Sequence, residues 1–106
     1  MNRLIKVIRK EPGERVGRIT YIPNTLEDLQ RAVGGYIEVL GISDTTVLIC
    51  NEEGKIKGLP PNIRVGYTRQ DVVVGTVIIA GAGGDEFCDV PFDLNRWKLY
   101  LKSWGN

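Results

Sequence analysis

The sequence predicts an α+β domain: a mostly antiparallel sheet of five or six strands, one helix packed on a face of it, and a second helix at the C-terminal end. Three observations carry this. Short β-branched runs recur with turn residues between them, and two other segments repeat apolar residues at helical spacing. The 106 residues are enough for one core and not for a second independent module, so a single domain over residues 1–106 is expected.

Leu4 to Arg9 and Val16 to Ile22 read as an opening hairpin around Glu11-Pro12-Gly13-Glu14, whose proline and glycine favour a turn. Asn24 is then expected to cap a helix over Thr25 to Val33, with Glu27 three residues on as in a capping box. Leu26, Leu29, Ala32 and Val33 form its apolar stripe, and Gly34-Gly35 stop it. Tyr36 to Leu40 and Thr46 to Cys50 are strands on either side of Ser43-Asp44. Asn51 to Gly54 is expected to be a hairpin turn into Lys55-Ile56-Lys57, with Gly54 taking a positive φ. Asp71 to Ala80 is the most hydrophobic stretch and is assigned as one central strand. Gly81 to Asp85 reads as a turn, or as a flap over a pocket. Glu86 to Val90 is a short strand, and Asp93 caps a last helix carrying Leu94, Trp97, Leu101 and Trp104 on one stripe.

Composition narrows the chemistry. Apolar residues make up 42% and charged residues 25%, ordinary values for a globular chain. Fourteen basic against thirteen acidic residues give no net field toward nucleic acid, which is not favoured as a partner. The first ten residues are too often charged for a signal peptide, and no apolar run approaches a membrane span, so a cytoplasmic location without membrane contact is expected. Cys50 and Cys88 lack metal or redox spacing and read as reduced thiols. The chain has no histidine, which removes nitrogen–sulfur zinc sites and histidine-dependent triads. No metal, no cofactor and no catalytic residue is predicted, and the glycine run at 81–84 lacks the lysine and helix of a phosphate loop.

Two segments remain as candidates. Gly58-Leu59-Pro60-Pro61-Asn62 is stiff, and it would hold Asn62 and Arg64 beside Lys55 and Lys57 with little entropy left to lose on binding. Together with Asn51 these residues offer donors to a small anionic ligand, and Tyr36 and Tyr67 are candidates for stacking on a base. The other reading is a set of solvated polar side chains around a rigid turn. On the last helix, Trp97, Tyr100, Leu101 and Trp104 are a large apolar surface for so small a core, and a homo-oligomer interface is expected there. The competing reading is that the helix closes the sheet of its own chain.

The residues Leu29 to Glu38, Leu48 to Asn62 with its LICNEEGKIKGLPPN pattern, and Val74 to Ile79 before a glycine turn resemble an uncharacterised-function domain family. Its members are small proteins of bacteriophages and conjugative elements, and the resemblance covers roughly residues 3 to 90. It implies a setting more than a chemistry: an accessory protein in the cytoplasm of an infected or host bacterial cell. The function expected from that setting is non-enzymatic sequestration of a nucleotide-type immune signal. The alternative is direct inhibition of a host defence protein or nucleic-acid enzyme.

Overall fold

The computed structural model describes residues 3–66 and 71–106. Within them the chain runs β1 (Leu4–Lys10), β2 (Arg18–Pro23), α1 (Leu26–Val33), β3 (Ile37–Ser43), β4 (Thr46–Asn51), β5 (Pro61–Val65), β6 (Asp71–Val74), β7 (Val77–Gly83), β8 (Glu86–Cys88) and α2 (Leu94–Ser103). Six strands form one antiparallel sheet along the path β2-β1-β7-β4-β3, with β8 on β7, while β5 and β6 pair as a separate ribbon. The α+β class is as predicted from the sequence, and the ribbon is the part that was not.

Alternation along the central strands builds two cores. Ile78 and Ala80 of β7 join Val7, Ile49, Leu29 and Val33 under α1, whereas Val77 and Ile79 join Ile8, Leu48, Ile63, Val73 and Trp97 under the ribbon and α2. A strand covered on both faces needs apolar residues at consecutive positions, which is why β4 and β7 read as unbroken hydrophobic runs. Leu29 and Val33 hold α1 in place, each worth roughly 1.5–3 kcal/mol when fully buried. Among the described residues no helix is long and apolar enough to cross a membrane.

Several boundaries differ from expectation. Thr25, not Asn24, caps α1: its hydroxyl accepts from the Asp28 amide at 3.1 Å and donates to the Asp28 carboxylate, the place expected for Glu27. The Asn24 side chain instead donates to the Phe87 carbonyl at 2.9 Å and ties the helix entrance to β8. The stretch Asp71 to Ala80 is two strands. Gly75 takes a φ of 75°, and a side chain there would meet Leu59 Cδ1 at 2.8 Å, so the chain turns out of the ribbon and into the sheet at that residue. Gly81 to Gly83 belong to β7, and only Gly84-Asp85 remain as the turn to β8.

The last helix is capped by Asp93, which accepts from the Arg96 amide at 2.9 Å. Its tryptophans do not wait for another subunit. Trp97 is 0% exposed and donates through Nε1 to the Val16 carbonyl at 2.8 Å. Trp104 meets Trp97 edge to face with ring centroids 5.8 Å apart, Leu101 is buried beside them, and Tyr100 is half-buried against Phe92 and Trp104. The surplus apolar surface from which an interface was expected at Trp97, Tyr100, Leu101 and Trp104 is taken up by the chain's own core, because the ribbon widens the surface that α2 can cover.

The ribbon is fastened to β1 by one side chain. Asn62 Oδ1 accepts from Lys10 Nζ at 2.7 Å, and its Nδ2 donates to the Lys10 carbonyl at 2.8 Å and the Gly75 carbonyl at 2.7 Å. Lys10 is only 4% exposed, and burial lowers its pKa below the ordinary lysine value. On the same core face the buried Cys50 thiol is pushed from 9.0 to about 11, first by burial and then by the Glu38 carboxylate.

Replacing Asn62 with alanine strands two carbonyls and leaves the Lys10 amine only the residue-62 backbone carbonyl at 3.5 Å, so urea unfolding is expected to show a loss of roughly 2–4 kcal/mol. Lys10→Met strands one side-chain acceptor and removes a long second contact to the Asn62 carbonyl, and is expected to cost less; the reverse order would refute the joint. The thiol has its own signature in alkali. Between pH 9.0 and about 11 the unfolded chain gives up the Cys50 proton and the folded chain keeps it, so the folded state loses stability as pH rises through that window. Lys10 acts with the opposite sign, since below its ordinary value the unfolded chain holds a proton that the folded chain has released. Comparing wild type with Cys50→Ala cancels the lysine contribution, and the stability difference is expected to move against wild type from pH 9 upward.

Candidate functional sites

Asn51 organises the first site. Its Nδ2 donates to the Val33 carbonyl at 3.1 Å, satisfying the end of α1, and its Oδ1 accepts from the Glu53 amide at 2.8 Å. The Glu52 amide adds a bond to the Tyr36 carbonyl at 2.9 Å, so helix end, strand start and turn are tied together. With both ends of its amide engaged and the residue buried, Asn51 supports the turn first, and it also lines the groove described next.

The chain then passes through successive turns over residues 52–58 in place of the expected hairpin strand Lys55-Ile56-Lys57. The Lys57 amide bonds to the Glu53 carbonyl at 2.9 Å and the Leu59 amide to the Gly54 carbonyl at 2.9 Å. Gly54 is required for space, because a side chain would stand 2.7 Å from Val74 Cγ2, and the positive φ falls at Gly58 instead.

Beneath these turns lies a groove of about 340 Å³, with Glu38, Leu40 and Cys50 on the sheet, Asp71 to Val74 along the ribbon, and Glu52, Lys55 and Ile56 on the turns. Three carboxylates face one lysine. The Cys50 thiol donates to Glu38 Oε1 at 3.8 Å and stays protonated at neutral pH. Such a groove repels the anionic ligand for which Lys55 was a candidate.

The other candidates are dispersed. Lys57 lies over the turn after α1, where a side chain on Gly35 would come within 3.1 Å of its Nζ. Tyr36 is 65% exposed and lines neither this groove nor the cleft described next. Asn62 is fully engaged in the ribbon joint. Tyr67 lies outside the described residues. Arg64 is exposed on β5, and its backbone N–H and C=O are both held by the Asn106 side chain, at 2.9 and 2.8 Å.

That asparagine leads to a second site. A cleft of about 480 Å³ opens between the β1–β2 loop and α2, lined by Arg15, Val16, Lys98, Leu101, Lys102 and Asn106. Lys98 and Lys102 stand one turn apart on the solvent side of a helix whose other side buries Trp97 and Leu101. Arg15 comes from the facing loop, which the Trp97 indole fixes through Val16. Three cations therefore line one cleft, no acidic side chain lines it, and no ion pair to them occurs among the described residues.

Sequence reasoning missed these three residues. The spacing of Lys98 and Lys102 was visible on the predicted helix, but the arginine that completes the set is more than eighty positions away and is brought in by the Trp97 contact.

No curated protein and no solved structure matches this chain. The family described as Domain of unknown function (DUF3846) matches over residues 5–104, a span that takes in both helices and also the C-terminal region that the residue resemblance did not reach. On that match, running through nearly the whole α+β domain, the chain belongs to the DUF3846 family.

Proposed function

We propose that this protein is a non-enzymatic binding protein that sequesters a small anionic, nucleotide-type signalling molecule, holding it by its phosphates in the cleft between Arg15 and the Lys98–Lys102 face of α2. One observation carries the reading: three cations line a cleft of ligand size with no acidic side chain among its lining residues. Arginine and lysine hold their charge at neutral pH, so they suit capture of phosphates better than proton transfer. The short apolar floor of Val16 and Leu101 accommodates a sugar or the edge of a base. The resemblance of the residue pattern to small proteins of phages and conjugative elements fits an accessory role of this kind, in which a defence signal is withdrawn from its receptor.

The test is a thermal-shift and calorimetric panel of tripolyphosphate, ADP-ribose and cyclic dinucleotides on the intact chain. A ligand that binds only the folded state is expected to raise the melting temperature and to be recovered unchanged after heat denaturation. Lys98→Ala and Lys102→Ala are each expected to weaken binding by roughly 1–2 kcal/mol, and added salt to weaken it further. Arg64→Ala, outside the cleft, is expected to change little. A panel without a single shift, or affinity indifferent to Arg15, Lys98 and Lys102, would overturn the reading.

A further inference from the structure

The acid-lined groove is not used by this reading, and its geometry is distinctive. All four residues of β6, Asp71, Val72, Val73 and Val74, line it. Successive side chains of a strand point to opposite faces, so one face alone would contribute only alternate residues. A cavity reached by four in a row runs along the strand's edge. β6 pairs with β5 on one side, and on its other side no strand is paired among the described residues, which leaves a row of backbone donors and acceptors beside the groove.

The surroundings suit an extended chain. Ile56 on the opposite wall is 87% exposed, the most exposed of the large apolar residues described, and Leu40 on the floor is only half-buried. An occupant laid along β6 would cover both. Charge then selects its kind, since Glu38, Glu52 and Asp71 outnumber Lys55.

We propose that this groove docks an extended, lysine- or arginine-bearing segment of a partner protein, which adds to the free edge of β6 as a third strand and sets its cations against Glu38, Glu52 and Asp71. Main-chain pairing supplies a sequence-tolerant part of the affinity, and the carboxylates supply the preference. This surface is separate from the cationic cleft, so the two readings stand or fall independently.

The experiment uses the full chain, isotope-labelled, and two synthetic peptides of equal length, one alternating lysine with valine and the other glutamate with valine. The lysine peptide is expected to shift the amide resonances of Val72, Val73, Val74 and Ile56, to leave Lys98 and Lys102 unmoved, and to slow hydrogen exchange in β6. The glutamate peptide is expected to do neither. Affinity for the lysine peptide should fall about three- to tenfold in Glu52→Gln/Asp71→Asn, the range for two exposed charge pairs. Ile56→Ser, at a position too exposed to affect folding, should weaken it as well.

Several results would overturn the proposal. They are absence of binding at about 1 mM peptide, equal binding of both peptides, or shifts gathered away from β6. Spermine reproducing the shifts while the peptide adds no protection to β6 would reduce the site to a cation trap. Groove resonances that move with protein concentration alone would assign it to a second copy of this chain.

Discussion

The amide of Asn62 is the joint on which the rest of the architecture depends. Its oxygen takes the Lys10 ammonium and its nitrogen takes the carbonyls of Lys10 and Gly75, so one planar group ties the β5–β6 ribbon to the end of β1, where no ladder connects them. A two-stranded ribbon has little stability alone. Pinned at this point, it lays Ile63 and Val73 over Ile8, Leu48 and Ile79, and the layer so made is wide enough for α2 to bury two tryptophans against it. Both candidate surfaces follow from that placement. β6 walls the acidic groove, and β5 is tied through Arg64 and Asn106 to the cationic cleft.

The parts legible in the sequence were those decided by local pattern. The apolar runs of β1, β4 and β7 and the stripes of α1 and α2 needed only periodicity and length to identify. The ribbon needed more, because two strands of four and five residues, one opening on a proline, resemble linker. Asp71 to Ala80 read as one strand because an isolated glycine inside a β-branched run looks like a tolerated weakness. Its break becomes visible only when Leu59 is found against it. Asn24 is by propensity at least as good a cap residue as Thr25, and its side chain is instead taken at a distance by the Phe87 carbonyl. The Trp97–Trp104 stripe was correctly placed on a helix, and its burial within the chain, the competing reading of it, depends on the unforeseen ribbon.

The candidate site shows the same division at the level of chemistry. Asn62 was singled out as a stiffly held polar residue and Asn51 as a further donor, and both are held because they are structural: both donors of Asn62 go to carbonyls and its oxygen to the Lys10 ammonium, while Asn51 binds a carbonyl at one end of its amide and a backbone amide at the other. Lys55 was read for its charge without its neighbours, and those neighbours are carboxylates drawn from β3, the turn and β6. A net charge of +1 gives no hint that the folded chain separates its charges into one acid-lined groove and one cationic cleft.

That separation has a physical consequence for what the surfaces can do. Both faces of the main sheet are consumed by α1, the ribbon and α2, so recognition is left to places where elements meet without a ladder. Such junctions are normally soft, yet here asparagine side chains bridge them: Asn51 between α1 and the 52–58 turns, Asn62 between β1 and β5, Asn106 between α2 and β5. A wall fastened by a bidentate amide gives up little freedom when a ligand arrives, and the affinity that three exposed cations or one strand edge can offer is modest enough for that saving to matter. The same reasoning separates the two surfaces. The cleft gathers point charges suited to a compact phosphate-bearing molecule, whereas the groove offers a line of backbone groups that only another extended backbone can satisfy.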